Sequence, residues 1–371
     1  MKKLFSFSIV LIILSLLFAE VKNPDKPLKG EWNFNLQKLW EIDRVGDKPF
    51  GRPSETRISQ DEMLYFHDFD HKVSYIFNPS GEFINSFAKQ GEASGEVDRY
   101  INCFIAGDKV VIGTPNKLHF YTREGTFIKS FETNLFERFP LLFVSEDEFL
   151  YSPRVESNIA EDKVKIVRKN LKTGEEVGFD EFSMAKGEKN PQEGISLVIL
   201  GLTPQIKVGF DPDSKRICYG RSDEYSIHVA ELTGKRLFTF GLDRERKTVT
   251  EEDKWRHFEQ TRLPKERIEK ILPSLPNFLT YFMRIQVVKG FIFIFSTGSL
   301  DRRQEKLAVD VFSPEGKYLY RSYLKFGDDS PSVTHIEKVA IKNTHLYALL
   351  ESKEGRNSLA KYKIDLPPFK H

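Results

Sequence analysis

Cysteine is nearly absent from this sequence, with only Cys103 and Cys218 in 371 residues. That excludes a disulfide-stapled scaffold and a thiolate-rich metal cluster. An oxidising compartment would still permit one bridge. The two residues fall in separate repeat units, each in or beside an apolar strand run, so buried free thiols are expected instead. An excess of one charge is also missing: Lys and Arg number 56 against 54 Asp and Glu, a net charge of +2. A nucleic-acid binder needs a basic field to displace counterions, so no nucleic-acid partner is expected. The linear signatures of common enzymes are absent as well. There is no G-x-S-x-G elbow, phosphate loop, G-x-G-x-x-G or H-E-x-x-H, and the eight histidines are scattered. No stretch of Pro, Gly or Ser is long enough to read as an interdomain linker.

Long apolar runs are missing too, except at the start. Lys2 and Lys3 precede an apolar and small-residue run from Leu4 to Phe18, closed by Ala19 and followed by Glu20. A basic start, an apolar centre and a small residue before the cut are the layout of a secretory signal peptide. The competing reading is a retained anchor, but the run falls short of the roughly 20 residues that span a bilayer as a helix. No cysteine follows it, so a lipid-anchoring signal is lacking. Residues 1–19 are therefore expected to be a signal peptide, although Leu17 fits only adequately as the third residue before the cut. Residues 20–371 would form one formally neutral, exported domain, periplasmic or extracellular, with no membrane span.

What is present is an internal repeat, and repeats decide a fold. The segments Tyr75 to Phe87 and Leu118 to Phe131 align on Gly81 and Gly125. They share an aromatic residue four before the glycine, Phe two after, Ile three after, Ser five after and Phe six after. Each copy reads as a hairpin of two alternating strands whose glycine supplies the positive φ other residues resist. Weaker copies surround Gly174, Gly234 and Gly316. All five keep an aliphatic residue at the third offset, Ile84, Ile128, Val177, Leu237 and Leu319, while Asp180 and Ser322 replace the sixth-offset aromatic in two. Upstream of most hairpins lies a second pair, such as Ser59 to Phe66, Ala106 to Gly113 and Val288 to Phe295, so each unit supplies four short strands.

Intervals of 44 and 49 residues between successive glycines suit a propeller blade, while the next two, 60 and 82, require insertions. The first insertion is a polar loop around 184–193. The second is a helical hairpin over about 250–272, with Thr250 and Asp253 as a capping box and Pro264 as the first residue of its second helix. Leu359 to Asp365 looks like a third strand lacking a fourth, and Lys38 to Gly46 like a fourth strand lacking its blade. Joined, the two close a ring and leave no open edge between the termini. The fold class is thus all-β, a six-bladed β-propeller with a short inserted helical hairpin.

The run from Phe66 to Gly91 resembles an NHL-type propeller repeat, with Asp68, Lys72, Val73, Phe77 and Gly81 at the matching positions. Thr114, Lys117, Leu118, Tyr121 and Gly125 follow the same scheme in the second unit. The layout of the chain is similar to the exported six-bladed propellers of bacteria. That scaffold hosts receptors, adaptors, lyases and lactonases alike, so the resemblance implies a fold and leaves activity open.

Three groups of residues are functional candidates. His67, Asp68, Asp70 and His71 could hold a divalent metal, against the competing reading of a polar turn between the second and third strands of the first blade. Arg57, Asn102, Lys207, Arg284 and Glu337 fall near the starts of innermost strands, where a propeller tunnel takes ligands. Three of these five are cationic and would favour an anionic small molecule or acidic peptide, provided the register is right, since a slip of one residue turns each to the other face. Trp255 and Phe258 on the inserted helices could dock a partner, or simply pack on the propeller. The expected function is a non-catalytic binding or scaffolding propeller for a protein, peptide or glycan, with no cofactor required. The alternative is a tunnel-centred hydrolase, lactonase- or esterase-like, or a lyase, using a divalent cation.

Overall fold

The computed structural model describes residues 19–133, 140–155, 163–183, 201–259, 263–300, 306–326 and 333–368. The chain is a six-bladed β-propeller. Blade 1 runs through Arg57–Ile58, Leu64–Asp68, Val73–Phe77 and Phe83–Phe87, and blade 2 through Asn102–Ala106, Lys109–Gly113, Lys117–Tyr121 and Phe127–Glu132. Blade 3 is Pro140–Phe143, Glu148–Tyr151, Lys163–Asn170 and Glu176–Ser183, with the short Arg154–Val155 beside the third strand. Blade 4 is Ile206–Asp211, Arg216–Arg221, Ser226–Glu231 and Arg236–Asp243, and blade 5 is Phe282–Val288, Phe291–Ser296, Lys306–Phe312 and Tyr318–Lys325. Blade 6 takes Val333–Lys342, His345–Glu351 and Asn357–Lys363 from the C-terminal part and Gln37–Ile42 from the N-terminal part, with Leu359 facing Ile42 and Lys361 facing Trp40. These are the two segments that the sequence reading joins, although the N-terminal strand stops at Ile42 and Arg44–Val45 turns into a hairpin of its own.

Burial follows strand position. The second and third strands of blade 1 are buried at every residue, because both faces lie under neighbouring structure. Its fourth strand is exposed over Phe83, Ile84 and Asn85. Continuous apolar runs therefore mark the middle of a blade, and mixed runs its outer edge.

All five hairpin glycines adopt positive φ, from +75° at Gly174 to +86° at Gly125 and Gly234. In blade 2 the Gly125 amide donates to the Thr122 carbonyl, and the same bond recurs from Gly81 to Asn78 and from Gly316 to Ser313. A second reason for glycine is close packing between blades. A Cβ on Gly125 would lie 2.8 Å from that of Phe87, one on Gly316 would lie 2.7 Å from that of Phe240, and one on Gly81 would meet the Trp40 ring at 3.0 Å. Phe87 and Phe240 are the sixth-offset aromatics of the preceding blades, so two features of the repeat are the two halves of one contact. Gly174 has nothing within 4 Å.

Chain contacts group the residues into two compact units: 1–31, 184–300 and 308–322 in one, and 32–183, 301–307 and 323–371 in the other. In the second unit, Phe66, Tyr75, Phe77, Tyr347 and Leu359 pack blade 1 on blade 6, while Tyr65, Ile76, Phe87, Cys103 and Tyr121 pack it on blade 2. In the first unit, Cys218, Phe240, Phe282, Ile294 and Phe312 join blades 4 and 5. Both cysteines are free and buried, and burial pushes each thiol up to about 12.

The first unit also carries the inserted helices, α1 (Glu251–Glu259) and α2 (Lys265–Ile271). Thr250 and Asp253 form the reciprocal cap, the Asp253 amide donating to Thr250 Oγ1 at 3.1 Å and the Thr250 amide to Asp253 Oδ2 at 3.0 Å. Pro264 sits one position outside α2 as its N-cap, with φ of −60° and ψ of 141°; its ring fixes only φ, which suits this extended position as well as the first helical one. The polar loop expected around 184–193 lies outside the described residues.

One element has no counterpart in the sequence reading. Ala19–Pro24 adds to blade 4 as a fifth strand, parallel to Arg236–Asp243, with Val21 opposite Phe240. The chain then runs along blade 5, where the Leu28 and Lys29 amides donate to the Tyr318 and Leu319 carbonyls.

Candidate functional site

A cleft of about 860 Å³ opens beside blade 1, wholly within the second unit. Three segments build it. The first is a tight hairpin in which Arg44–Val45 pairs with Lys48–Pro49 across Gly46 and Asp47, with Gly46 at φ +58°. The second is the turn between the second and third strands of the blade, which presents His71 and Lys72. The third is the outer strand and its continuation, presenting Phe83, Ser86, Lys89 and Gln90. Backbone bonds fix these walls: the Gln90 amide donates to the Lys72 carbonyl at 3.0 Å and the Val97 amide to the Lys89 carbonyl at 2.9 Å.

The charge of the cleft is one-sided. Lys48, Lys72 and Lys89 line it, and Asp47 is the one carboxylate among its lining residues. Val73, Tyr75 and Phe83 supply an apolar floor. His71 Nδ1 lies 3.1 Å from the Tyr75 hydroxyl and 3.2 Å from Asp68 Oδ2, which orients the ring toward the cleft wall. Burial and the nearby Asp68 raise the Tyr75 phenol above its ordinary range, so it stays protonated as a donor. An open, cationic, partly apolar cleft of this size is suited to an anionic group on an apolar body.

The His67 to His71 cluster does not converge. Asp68 is fully buried, and its carboxylate accepts the amides of Gly51, Arg52, Asp70 and His71 at 2.8 to 3.3 Å. Its lone pairs are thus occupied by the turn it organises. His67 is buried, stacked on Tyr100 at 4.1 Å, with Nδ1 3.1 Å from the Ser74 hydroxyl. Asp70 is exposed, 3.7 Å from Arg52. Among the described residues no group of three or more metal-ligating side chains comes together.

Of the five tunnel candidates, Arg57, Asn102, Lys207 and Arg284 all lie on the first strands of their blades, and Glu337 lies in Val333–Lys342, its side chain outside the described residues. Arg57 and Asn102 meet, Arg57 Nη2 donating to Asn102 Oδ1 at 3.1 Å. The same guanidinium donates to the Cys103 carbonyl and pairs with Glu55 at 2.7 Å, so much of its charge is compensated. Lys207 donates to Gln205 Oε1 at 2.6 Å in the other unit, where Arg284 lies on the neighbouring first strand. On the inserted helices, Phe258 is buried among Leu202, Val249, Ile268, Leu279 and Leu300, and Trp255 packs half-buried on the same cluster. The Phe258 ring therefore has no free face for a partner.

The cleft lysines escaped sequence reasoning because they share no spacing. In the sequence Lys72 reads only as the basic residue that starts a strand, and Lys48 and Lys89 lie 41 positions apart, one in the two-residue strand Lys48–Pro49 and the other just after Phe83–Phe87. Two charged hubs were also invisible. Glu62 receives Lys361 Nζ at 2.8 Å, the Tyr347 hydroxyl at 2.7 Å and Asn343 Nδ2 at 2.9 Å, with His345 Nδ1 at 3.1 Å, joining blade 1 to blade 6. Burial pushes its carboxyl up, but these donors outweigh it and hold the group down at about 2. In the first unit, fully buried Asp310 receives the Tyr318 and Tyr225 hydroxyls at 2.6 and 2.8 Å, Ser296 at 2.8 Å, Arg244 at 2.8 Å and Arg321 at 3.1 Å. Both arginines also reach Asp25 of the N-terminal strap, at 2.7 and 3.0 Å. With their donors and acceptors matched in pairs, both hubs are structural latches.

No known family model matches the sequence, and no curated protein matches it. Among solved structures, the chain is similar to a member of the DUF4221 family from Bacteroides vulgatus, with a TM-score of 0.54 and 10% identity over 90% of this chain and 99% of that one. Likenesses at a TM-score of 0.41 to virginiamycin B lyase from Staphylococcus aureus (9% identity, 90% of this chain and 100% of that one) and of 0.40 to regucalcin from Agrobacterium tumefaciens (10% identity, 95% and 99%) are weaker. At these identities the likeness is one of fold.

Proposed function

We propose that this chain is an exported, non-catalytic binding propeller with NHL-like blades, and that its blade 1 cleft holds an anionic ligand. The observation that carries the binding reading is the charge of the cleft, with three lysines set against Asp47 above an apolar floor. Unlike Arg57, which is paired with Glu55, these lysines face a volume large enough for a ligand. The test is calorimetric titration of the purified chain with an acidic peptide and an acidic oligosaccharide as probes. Binding is expected for at least one probe, weakening with salt, and the triple variant K48E/K72E/K89E should lose about tenfold or more in affinity. Unchanged binding by the triple variant would remove the cleft from the reading. Turnover of a lactone or ester panel that a tunnel substitution such as Arg284→Ala abolishes would replace it with the hydrolase alternative.

Export rests on Lys2, Lys3 and the apolar run that ends where the strand Ala19–Pro24 begins. Expression with the native leader in a bacterial host should yield a periplasmic or secreted chain whose mass begins at Glu20. A cytoplasmic chain of full mass would refute export.

A further inference from the structure

In this propeller the aliphatic residue three positions after each hairpin glycine marks the outer face of the fourth strand, and its fate differs between blades. In blade 4 that residue, Leu237, is partly buried against the blade's core, and the strand Ala19–Pro24 has added in parallel along the blade's outer edge, opposite Phe238 to Asp243. In blades 1 and 2 its counterparts Ile84 and Ile128 are 45% and 42% exposed, and Phe83 beside Ile84 is 44% exposed. Among the described residues, Phe83–Phe87 ends its sheet with no strand beyond it. An exposed edge bearing Phe and Ile is a template for pairing, which proteins ordinarily cover or charge. This chain covers the equivalent edge of blade 4 with its own N-terminal segment.

The edge is also continuous with the cationic cleft, since Phe83 and Ser86 of the edge strand line it together with Lys72 and Lys89. We propose that the ligand of the cleft is an extended acidic segment of a partner protein, seated as a fifth strand on Phe83–Phe87. Its backbone would take the place that Ala19–Pro24 occupies in blade 4, its apolar side chains would lie along the exposed Phe83 and Ile84, and its carboxylates would meet the lysines. Backbone pairing would supply affinity, and the apolar and cationic positions selectivity. This inference rests on the anion-binding reading of the cleft and adds to it the form of the ligand. Blade 2 offers a similar edge, but the cleft's cations adjoin blade 1.

The test uses a fluorophore-labelled peptide alternating Glu and Val, with two further versions N-methylated at alternate backbone nitrogens, one on each parity. Successive amides of a strand point to opposite edges, so only one parity can face blade 1. Anisotropy titrations of the full chain should show the unmodified peptide and one methylated version binding alike, and the other version weakened about tenfold or more. The Ile84→Asp variant, altered at an exposed position, should weaken the peptide while leaving any acidic oligosaccharide bound as before. Equal binding by both methylated versions would overturn strand addition and leave the anion site standing. Oligosaccharide binding without peptide binding would do the same, and a chain that self-associates through this edge in sedimentation would assign it to a second copy instead. Binding of neither probe would overturn both readings.

Discussion

Gly125 and Gly174 occupy equivalent turns with nearly the same backbone, at φ +86° and +75°, yet they should respond differently to a single methyl group. At both, alanine would pay the left-handed penalty of about 1 kcal/mol. At Gly125 the new Cβ would also stand 2.8 Å from the Phe87 Cβ, with the Ile76 methyl at 3.0 Å, so blade 1 must shift to admit it. At Gly174 the space is open. Chemical unfolding should therefore find Gly125→Ala destabilised by about 3 kcal/mol and Gly174→Ala by about 1. Equal losses would mean that the close approach costs little. The aligned glycines and sixth-offset aromatics could be read from the sequence as features of a hairpin. That Phe87 belongs beneath Gly125, the glycine of the next repeat, follows only from blades stacking side by side, which no single repeat encodes.

Among the elements, the strands whose apolar residues alternate or run together were legible, and so was the closing of blade 6, because each terminal fragment lacked a partner that the other supplied. The strap over residues 19–30 was not legible. Its residues, AEVKNPDKPLKG, contain two prolines and no sustained alternation, and its backbone pairing is completed by single polar contacts. Asn23 donates to the Gly241 and Gly316 carbonyls at 3.1 and 2.9 Å and accepts the Tyr318 amide at 2.9 Å, so one side chain completes the edges of two blades. Asp25 then joins the arginines already held by Asp310. Because Asp310 is fully buried and Asp25 about a third exposed, the two carboxylates should differ in weight. Asp310→Asn removes the charge that two half-buried guanidiniums face and should cost about 3 kcal/mol, whereas Asp25→Asn should cost about 1. Amide exchange in Ala19–Pro24 should accelerate in both variants if the strap depends on this hub. An Asp25→Asn variant with unaltered exchange there would show that Asn23 and the backbone pairing hold the strap alone.

For the whole molecule, two of the perturbed groups of the second unit, His67 and Glu62, make stability depend on acid in two separate windows. Burial lowers His67 from its ordinary 6.5 to about 4, Asp68 opposing only in part, so the folded chain keeps the ring neutral beneath Tyr100. A group whose folded value is depressed contributes stability above its unfolded value and loses it as pH falls toward the folded one. For His67 the loss should run from about pH 6.5 to 4, and for Glu62, lowered from 4.5 to about 2, from about pH 4.5 to 2. Each depression is worth at most about 3 kcal/mol, and about 2 once solvent screening of these incompletely enclosed groups is allowed for. The neutral variant His67→Gln should be less stable at pH 8 but show a shallower decline between pH 6.5 and 4, the remainder belonging to His119, which burial also lowers. Glu62→Gln should flatten only the lower window, because Lys361 and His345 would then face an amide at every pH. Denaturant midpoints measured across pH 3 to 8 separate the two. A decline between pH 6.5 and 4 that is undiminished in His67→Gln would place the acid sensitivity on another group. Neither window could have been foreseen from His67 or Glu62 in the sequence, since one depends on a ring contributed by Tyr100 and the other on donors 281 to 299 residues away.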